Sequence, residues 1–148
     1  MSTAALNQEG GYSSTKLAAS GALAGLAGGL VFGMMMWMMG MLPMVGMLVR
    51  QENSAVGFVV HMAISAFLGA LYGIIAGRFT LKSTTALAGG IVYGIVWWVL
   101  GALILMPLML GMTQMVFAIG QPQLFSLVGH IIFGVVTALV FIQLAKRN

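Results

Sequence analysis

The sequence predicts an all-α membrane protein: four transmembrane helices forming a parallel tandem repeat of a helical hairpin, with a pseudo-twofold axis along the membrane normal. Three observations predict it. Of 148 residues, 61% are hydrophobic and 5% charged, with a mean hydropathy of +1.08; a soluble domain of this size lacks the polar surface to cover such a chain. The apolar residues fall into four runs of about 20 or more, the length that crosses a bilayer. The first half of the chain also recurs in the second.

The chain opens on a polar tail, residues 1–16, with one acid, Glu9, and no apolar periodicity. The apolar run after it is far longer than the roughly 7–15 residues of a cleavable signal, so it reads as a span. Span 1 is Leu17 to Leu42, closed by Pro43. At 1.5 Å per residue it makes about 39 Å of helix, more than a hydrocarbon core of about 30 Å requires, and tilt or a frayed end absorbs the excess. A loop with Arg50 and Glu52 leads to span 2, Ala55 to Ala76, which ends at Gly77, Arg78 and Lys82. Span 3 is Ala86 to Met106, closed by Pro107, and span 4 is Leu124 to Leu144, followed by Lys146 and Arg147. Between these two, Leu108 to Gln123 carries no formal charge and either re-enters the membrane or packs on the bundle.

Basic residues set the orientation. Lys16, Arg78, Lys82, Lys146 and Arg147 fall on one side of a four-span chain, and only Arg50, beside Glu52, on the other. Five against one is a positive-inside signal, placing both termini in the cytoplasm and the protein in the cell (inner or plasma) membrane. The net charge of +4 is scattered over span ends and does not point to nucleic acid. With no cysteine, disulfides, thiolate metal sites and thiol nucleophiles are excluded.

Leu26-Ala-Gly-Gly-Leu-Val-Phe-Gly33 recurs as Leu87-Ala-Gly-Gly-Ile-Val-Tyr-Gly94. Trp37 then matches Trp98, Gly40 matches Gly101, Pro43 matches Pro107, His61 matches His130 and Arg78 matches Arg147. The spacing between matched residues grows from 61 to 69, so the second copy has the longer outer loop. Repeat 1 covers residues 17–82 and repeat 2 residues 83–148. Two copies of a two-span unit enter the membrane in the same sense, a parallel repeat. This pattern, through its Leu-Ala-Gly-Gly-x-Val-aromatic-Gly opening, its proline and the late histidine of each half, resembles a group of small prokaryotic membrane proteins built on a duplicated hairpin. The group has no established activity, so the resemblance implies an architecture and assigns no function.

Small residues recur every fourth position. Gly21, Gly25, Gly29 and Gly33 do so in span 1, and Gly57, His61, Ser65, Gly69, Gly73 and Gly77 in span 2. Gly90 and Gly94 follow in span 3, and Ser126, His130 and Gly134 in span 4. That spacing draws a narrow stripe down a helix, and small stripes let helices approach closely in lipid. Intramolecular packing accounts for most of them; a surplus stripe, the Gly21 to Gly33 face, is available to a second copy or a larger subunit.

His61 and His130 occupy equivalent positions and share a depth, about two turns inside the outer ends of their spans. Ionisable groups inside a membrane are costly and therefore functional candidates. Two readings compete: each imidazole hydrogen-bonds across a helix interface, or the pair ligates haem b or a chlorophyll-type tetrapyrrole. The small residue four positions before each histidine, Gly57 and Ser126, suits the pigment variant. A second metal reading uses methionine. Met35, Met38, Met41, Met44 and Met47 recur every third residue, as do Met106, Met109, Met112 and Met115. Soft thioethers suit Cu(I), with Met44, Met47, Met112 and Met115 as candidate ligands. Adaptable apolar packing is the plainer account of 14 methionines.

No Asp, Glu, Lys or Arg falls within any span, whereas proton relays and ion-coupled transporters place such groups there. Ser65 and Ser126 each lie four residues from a histidine, without a third orienting group, so no catalytic residue is expected. The expectation is a non-enzymatic packing or accessory protein, embedded in the bilayer as a homo-oligomer or beside other membrane subunits. A haem- or pigment-binding subunit comes second and a copper(I)-handling protein third.

Overall fold

The computed structural model describes residues 13–79 and 83–146; the tail through residue 12, Lys82 and Arg147 lie outside the described residues. Those residues form α1 (Ser14–Met38), α2 (Leu42–Gly46), α3 (Ser54–Ala76), α4 (Ser83–Trp97), α5 (Met106–Met109) and α6 (Gln121–Ala145), with no strand among them. A π-helical segment, Trp98–Leu105, joins α4 to α5. Four rods are long and apolar enough to cross a membrane: Ser14–Met38, Ser54–Ala76, Ser83–Met109 and Gln121–Ala145.

The prolines do not close the first and third rods, contrary to expectation. Glycine does. Gly40 takes φ 68°, a left-handed conformation that costs glycine little. Its N–H donates to the Trp37 carbonyl at 3.1 Å and the Met41 N–H to Met36 at 2.9 Å, a Schellman stop. Leu42 and Pro43 therefore start α2, where a first-turn proline forfeits no helical hydrogen bond. The third rod instead runs through Pro107 to Gly111 (φ 71°), where the Met112 N–H caps the Pro107 carbonyl at 2.8 Å.

Pro107 deprives the Leu103 carbonyl of its usual helical donor. The Phe117 N–H, from the following loop, supplies one at 3.1 Å. Trp98 stands nine residues before Pro107 where Trp37 stands six before Pro43. The wide π turns take up the extra residues without a break. At the start of α3, Asn53 Oδ1 accepts from the N–H groups of Ala55 (2.8 Å) and Val56 (3.1 Å), a side-chain N-cap.

α1 lies between α3 and α6, and α6 lies between α1 and α4. The α1–α3 contact is backbone on backbone. A Cβ on Gly25 would stand 2.6 Å from the Gly69 Cα, and one on Gly21 2.9 Å from the Gly73 Cα. Farther along, Gly29 meets Ser65, and Gly33 meets Phe58 and His61. The helices thus run antiparallel with the two small stripes face to face. The Gly21 to Gly33 stripe is therefore not surplus: α3 covers it, because only residues without side chains permit this approach.

In the second half Gly90 faces Gly134 and Ala138, and Gly94 faces His130. Between the halves, Gly28 abuts Thr137 and Phe133, and the Phe32 ring lies on Gly129. The remaining seam, α3 against α4, is thin. Two hydroxyls stitch it: Tyr72 donates to the Ala86 carbonyl at 3.1 Å and Tyr93 to Leu68 at 2.7 Å, their rings edge-to-face at 5.2 Å.

Two buried clusters occupy opposite ends of the bundle. Leu17, Ala24, Tyr72, Ala138, Phe141 and Ala145 form one; Phe32, Met36, Leu42, Val45, Leu68 and Phe133 form the other. Leu17 and Ala145 share a cluster, so the described start of α1 and the end of α6 lie at the same end.

Candidate functional site

Phe32 brings the two histidines together. Its ring packs edge-on against His61 with centroids 5.3 Å apart, and against His130 at 4.9 Å. The ring is 3% exposed and is held against Gly129, where a Cβ would collide with it. α1 delivers Phe32, α3 delivers His61 and α6 delivers His130.

Each imidazole bonds to main chain. His61 Nε2 lies 2.9 Å from the Gly29 carbonyl. A carbonyl only accepts, so Nε2 carries the hydrogen and Nδ1 is the bare nitrogen. His130 does the reverse: Nδ1 donates to the Ser126 carbonyl at 2.7 Å, leaving Nε2 bare. The hydroxyls stand farther off, Ser65 Oγ at 3.5 Å from His61 and Ser126 Oγ at 3.3 Å from His130. The only acid among the described residues, Glu52, is exposed on the loop before α3.

As arranged, these residues do not fit a macrocycle held by both histidines. Phe32 already touches both rings, is locked on Gly129, and would have to leave. The pigment variant meets a similar obstacle, since Gly57, one turn ahead of His61, is covered by the Leu42 carbonyl and Gly46. What the arrangement can do is join three helices. An imidazole donating across an interface to a carbonyl removes an unsatisfied polar group from the apolar interior.

Met44 and Met47 are exposed in α2 and the turn after it, whereas Met112 and Met115 lie partly buried in the second loop. The cluster around Phe32 instead takes Met36, with Met35, Met41 and Met106 against it. Among the described residues no group of three or more His, Asp or Glu is placed to hold a metal ion. A shallow cleft of about 350 Å³ beside Met39, Met41, Gln121, Pro122 and Phe125 is lined mainly by apolar groups.

Phe32 itself went unread in the sequence, although its place in the repeated octapeptide, opposite Tyr93, singles it out. So did the bonding of the tyrosine pair; Trp98, the match of Trp37 in the repeat, donates through Nε1 to the Gln123 carbonyl at 2.9 Å. Fold and site together define an all-helical, multi-pass bundle with four rods able to cross a membrane. No family model matches the chain, no curated protein matches it, and no solved structure matches it.

Proposed function

We propose that this chain is a non-enzymatic packing subunit of the cell membrane, built as a tandem duplication of a helical hairpin with both termini cytoplasmic. The observation that carries the packing role is where its polar side chains go. His61, Tyr72, Tyr93 and Trp98 each donate to a main-chain carbonyl on another helix, and His130 to one on its own. Four of these five groups thus hold one helix to another.

Register supports the duplication. Gly29 stands opposite Ser65 and Gly33 opposite His61, as Gly90 stands opposite Gly134 and Gly94 opposite His130. These are the pairs that the sequence repeat equates. Uneven burial supports a subunit role: the most apolar windows of α1 and α6 are 50% and 44% buried, those of α3 and Ser83–Met109 only 28% and 22%. The two less buried rods offer the surface for neighbouring subunits or a second copy.

The test is gentle solubilisation followed by native mass spectrometry, an absorption spectrum and metal analysis. The expected result is a colourless, metal-free particle that is a multiple of 15.5 kDa or a complex with other membrane chains. A Soret band abolished by His61→Ala and by His130→Ala would overturn this reading in favour of a tetrapyrrole subunit. Bound Cu(I) lost on replacing Met44, Met47, Met112 and Met115 with Leu would overturn it in favour of copper handling. A colourless, metal-free monomer would also sink it.

A further inference from the structure

The segment between α5 and α6 turns back on itself. After the stop at Gly111 the chain reverses, and the Phe117 N–H reaches the Leu103 carbonyl, four residues before Pro107 on the rod it has just left. The arm leading to α6 therefore descends alongside the π segment, below the tip of its own hairpin. Farther down, Trp98 bonds the Gln123 carbonyl, which fixes the same downward course.

The side chains this arm presents outward are apolar. Phe117 is 59% and Ile119 61% exposed, followed on α6 by Leu124 and Phe125. No Asp, Glu, Lys or Arg occurs between Ser83 and Ala145. The first outer loop, by contrast, carries Arg50, Gln51 and Glu52, all exposed.

Four of the arm's five N–H groups are also supplied from within. The N–H of Val116 donates to Thr113, that of Phe117 to Leu103, that of Ala118 to Met115, and that of Gly120 to Gln123 Oε1. Non-helical backbone survives at membrane depth only when its polar groups find partners inside the protein. Phe117 holds φ 57°, which a bulky residue rarely adopts. That conformation is retained where its N–H serves a carbonyl that Pro107 leaves bare.

We propose that the arm from Val116 to Gly120 is a re-entrant cap seated in the outer-leaflet lipid, with Phe117 and Ile119 inserted among the acyl chains. This goes beyond the packing role and rests on the rods crossing a bilayer with both termini cytoplasmic, as proposed above. A partner protein or water are the other possible surroundings. The uncharged run, the outward Phe117 and Ile119 and the four internally bonded N–H groups favour lipid over both.

The chain has no cysteine, so single cysteines can be introduced at Gln51, Phe117 and Ile119 and spin-labelled in the full chain in phosphatidylcholine vesicles. Collision with dissolved oxygen, which concentrates in acyl chains, is compared with collision with a water-soluble nickel chelate. The expected result is an oxygen-to-nickel ratio severalfold higher at 117 and 119 than at 51. A ratio at 119 equal to that at 51 would place the arm in water, and low collision with both reagents would place it under protein; either overturns the proposal. The Ile119 label leaves the Phe117 backbone intact, so the reading survives if Phe117→Cys does not fold.

Discussion

His61 on α3 donates through Nε2 to the Gly29 carbonyl on α1, 2.9 Å away. The bond depends on Gly29 lacking a side chain, because a Cβ there would run into Ser65. An imidazole thus takes the place of the close backbone contacts that join the same two helices nearer their other end. Its partner helix supplies the acceptor, and Phe32 closes the space behind it.

The worth of that bond can be measured. Hydrogen bonds between membrane helices contribute about 0.6 kcal/mol on average and up to about 1.7 kcal/mol. His61→Leu is expected to destabilise the protein by about 1 kcal/mol in denaturation from mixed micelles, and His61→Gln, whose amide can donate to the same carbonyl, by less. Equal losses for the two variants would show that ring packing on Phe32, rather than the hydrogen bond, is what His61 contributes.

Adjacent glycines should give opposite results. A Cβ on Gly90 would strike the Gly134 carbonyl and lie 2.8 Å from the Ala138 Cβ, whereas Gly89 has no atom within 4 Å that a Cβ would meet. Gly90→Ala must push α4 off α6, and is expected to lose about 2 kcal/mol, within the usual cost of overpacking. Gly89→Ala is expected to be neutral or to gain up to about 1 kcal/mol from helix propensity. Circular dichroism melts of the two variants side by side check this, and a loss at Gly89 would mean that its face is covered.

Periodicity made the helices and their buried faces legible in the sequence. Of the stripe Gly57, His61, Ser65, Gly69, Gly73 and Gly77, all but Gly77, half-buried just past the helix end, are buried, because every-fourth spacing is a local property of a helix. The stops were less legible. Proline is visible in a sequence, but its effect depends on whether a glycine ends the helix first, as at Gly40, or a distant N–H serves the bare carbonyl, as Phe117 serves Leu103. The site was half legible: two equivalent histidines marked a shared depth, while the benzene ring against both came from a third helix. Pairings between elements distant in sequence carry no local periodicity to betray them.

Thr137 is fully buried and its Oγ1 has no hydrogen-bond partner. It faces Gly28, where a Cβ would stand 2.6 Å from that oxygen. A buried hydroxyl left without a partner costs about 1–3 kcal/mol of desolvation. Thr137→Val keeps the shape and removes the cost, so the unfolding midpoint is expected to rise by the equivalent of about 1 kcal/mol. A fall would show that the hydroxyl does find a partner in the membrane.

The two seams between the halves are built differently, and the thinner one is where the bundle is expected to loosen first. Gly28 against Phe133 and Thr137, and Phe32 on Gly129, close α1 on α6 by interdigitation. The α3–α4 seam rests on the Tyr72 and Tyr93 hydroxyls, whose carbonyl acceptors lie 3.1 and 2.7 Å away. Phenylalanine at either position keeps the edge-to-face ring contact and deletes only the hydrogen bond, worth about 0.5–1.5 kcal/mol. The Tyr72→Phe, Tyr93→Phe double variant should therefore loosen one seam alone. Spin labels on the exposed positions Phe67 and Val96 report α3 against α4, and labels at Leu23 and Leu139, also exposed, report α1 against α6. Pulsed distance measurements are expected to show the first pair broadened and lengthened and the second unchanged. If both pairs keep their distances, the hydroxyls do not hold the seam, and if both lengthen, the halves move as one cooperative unit.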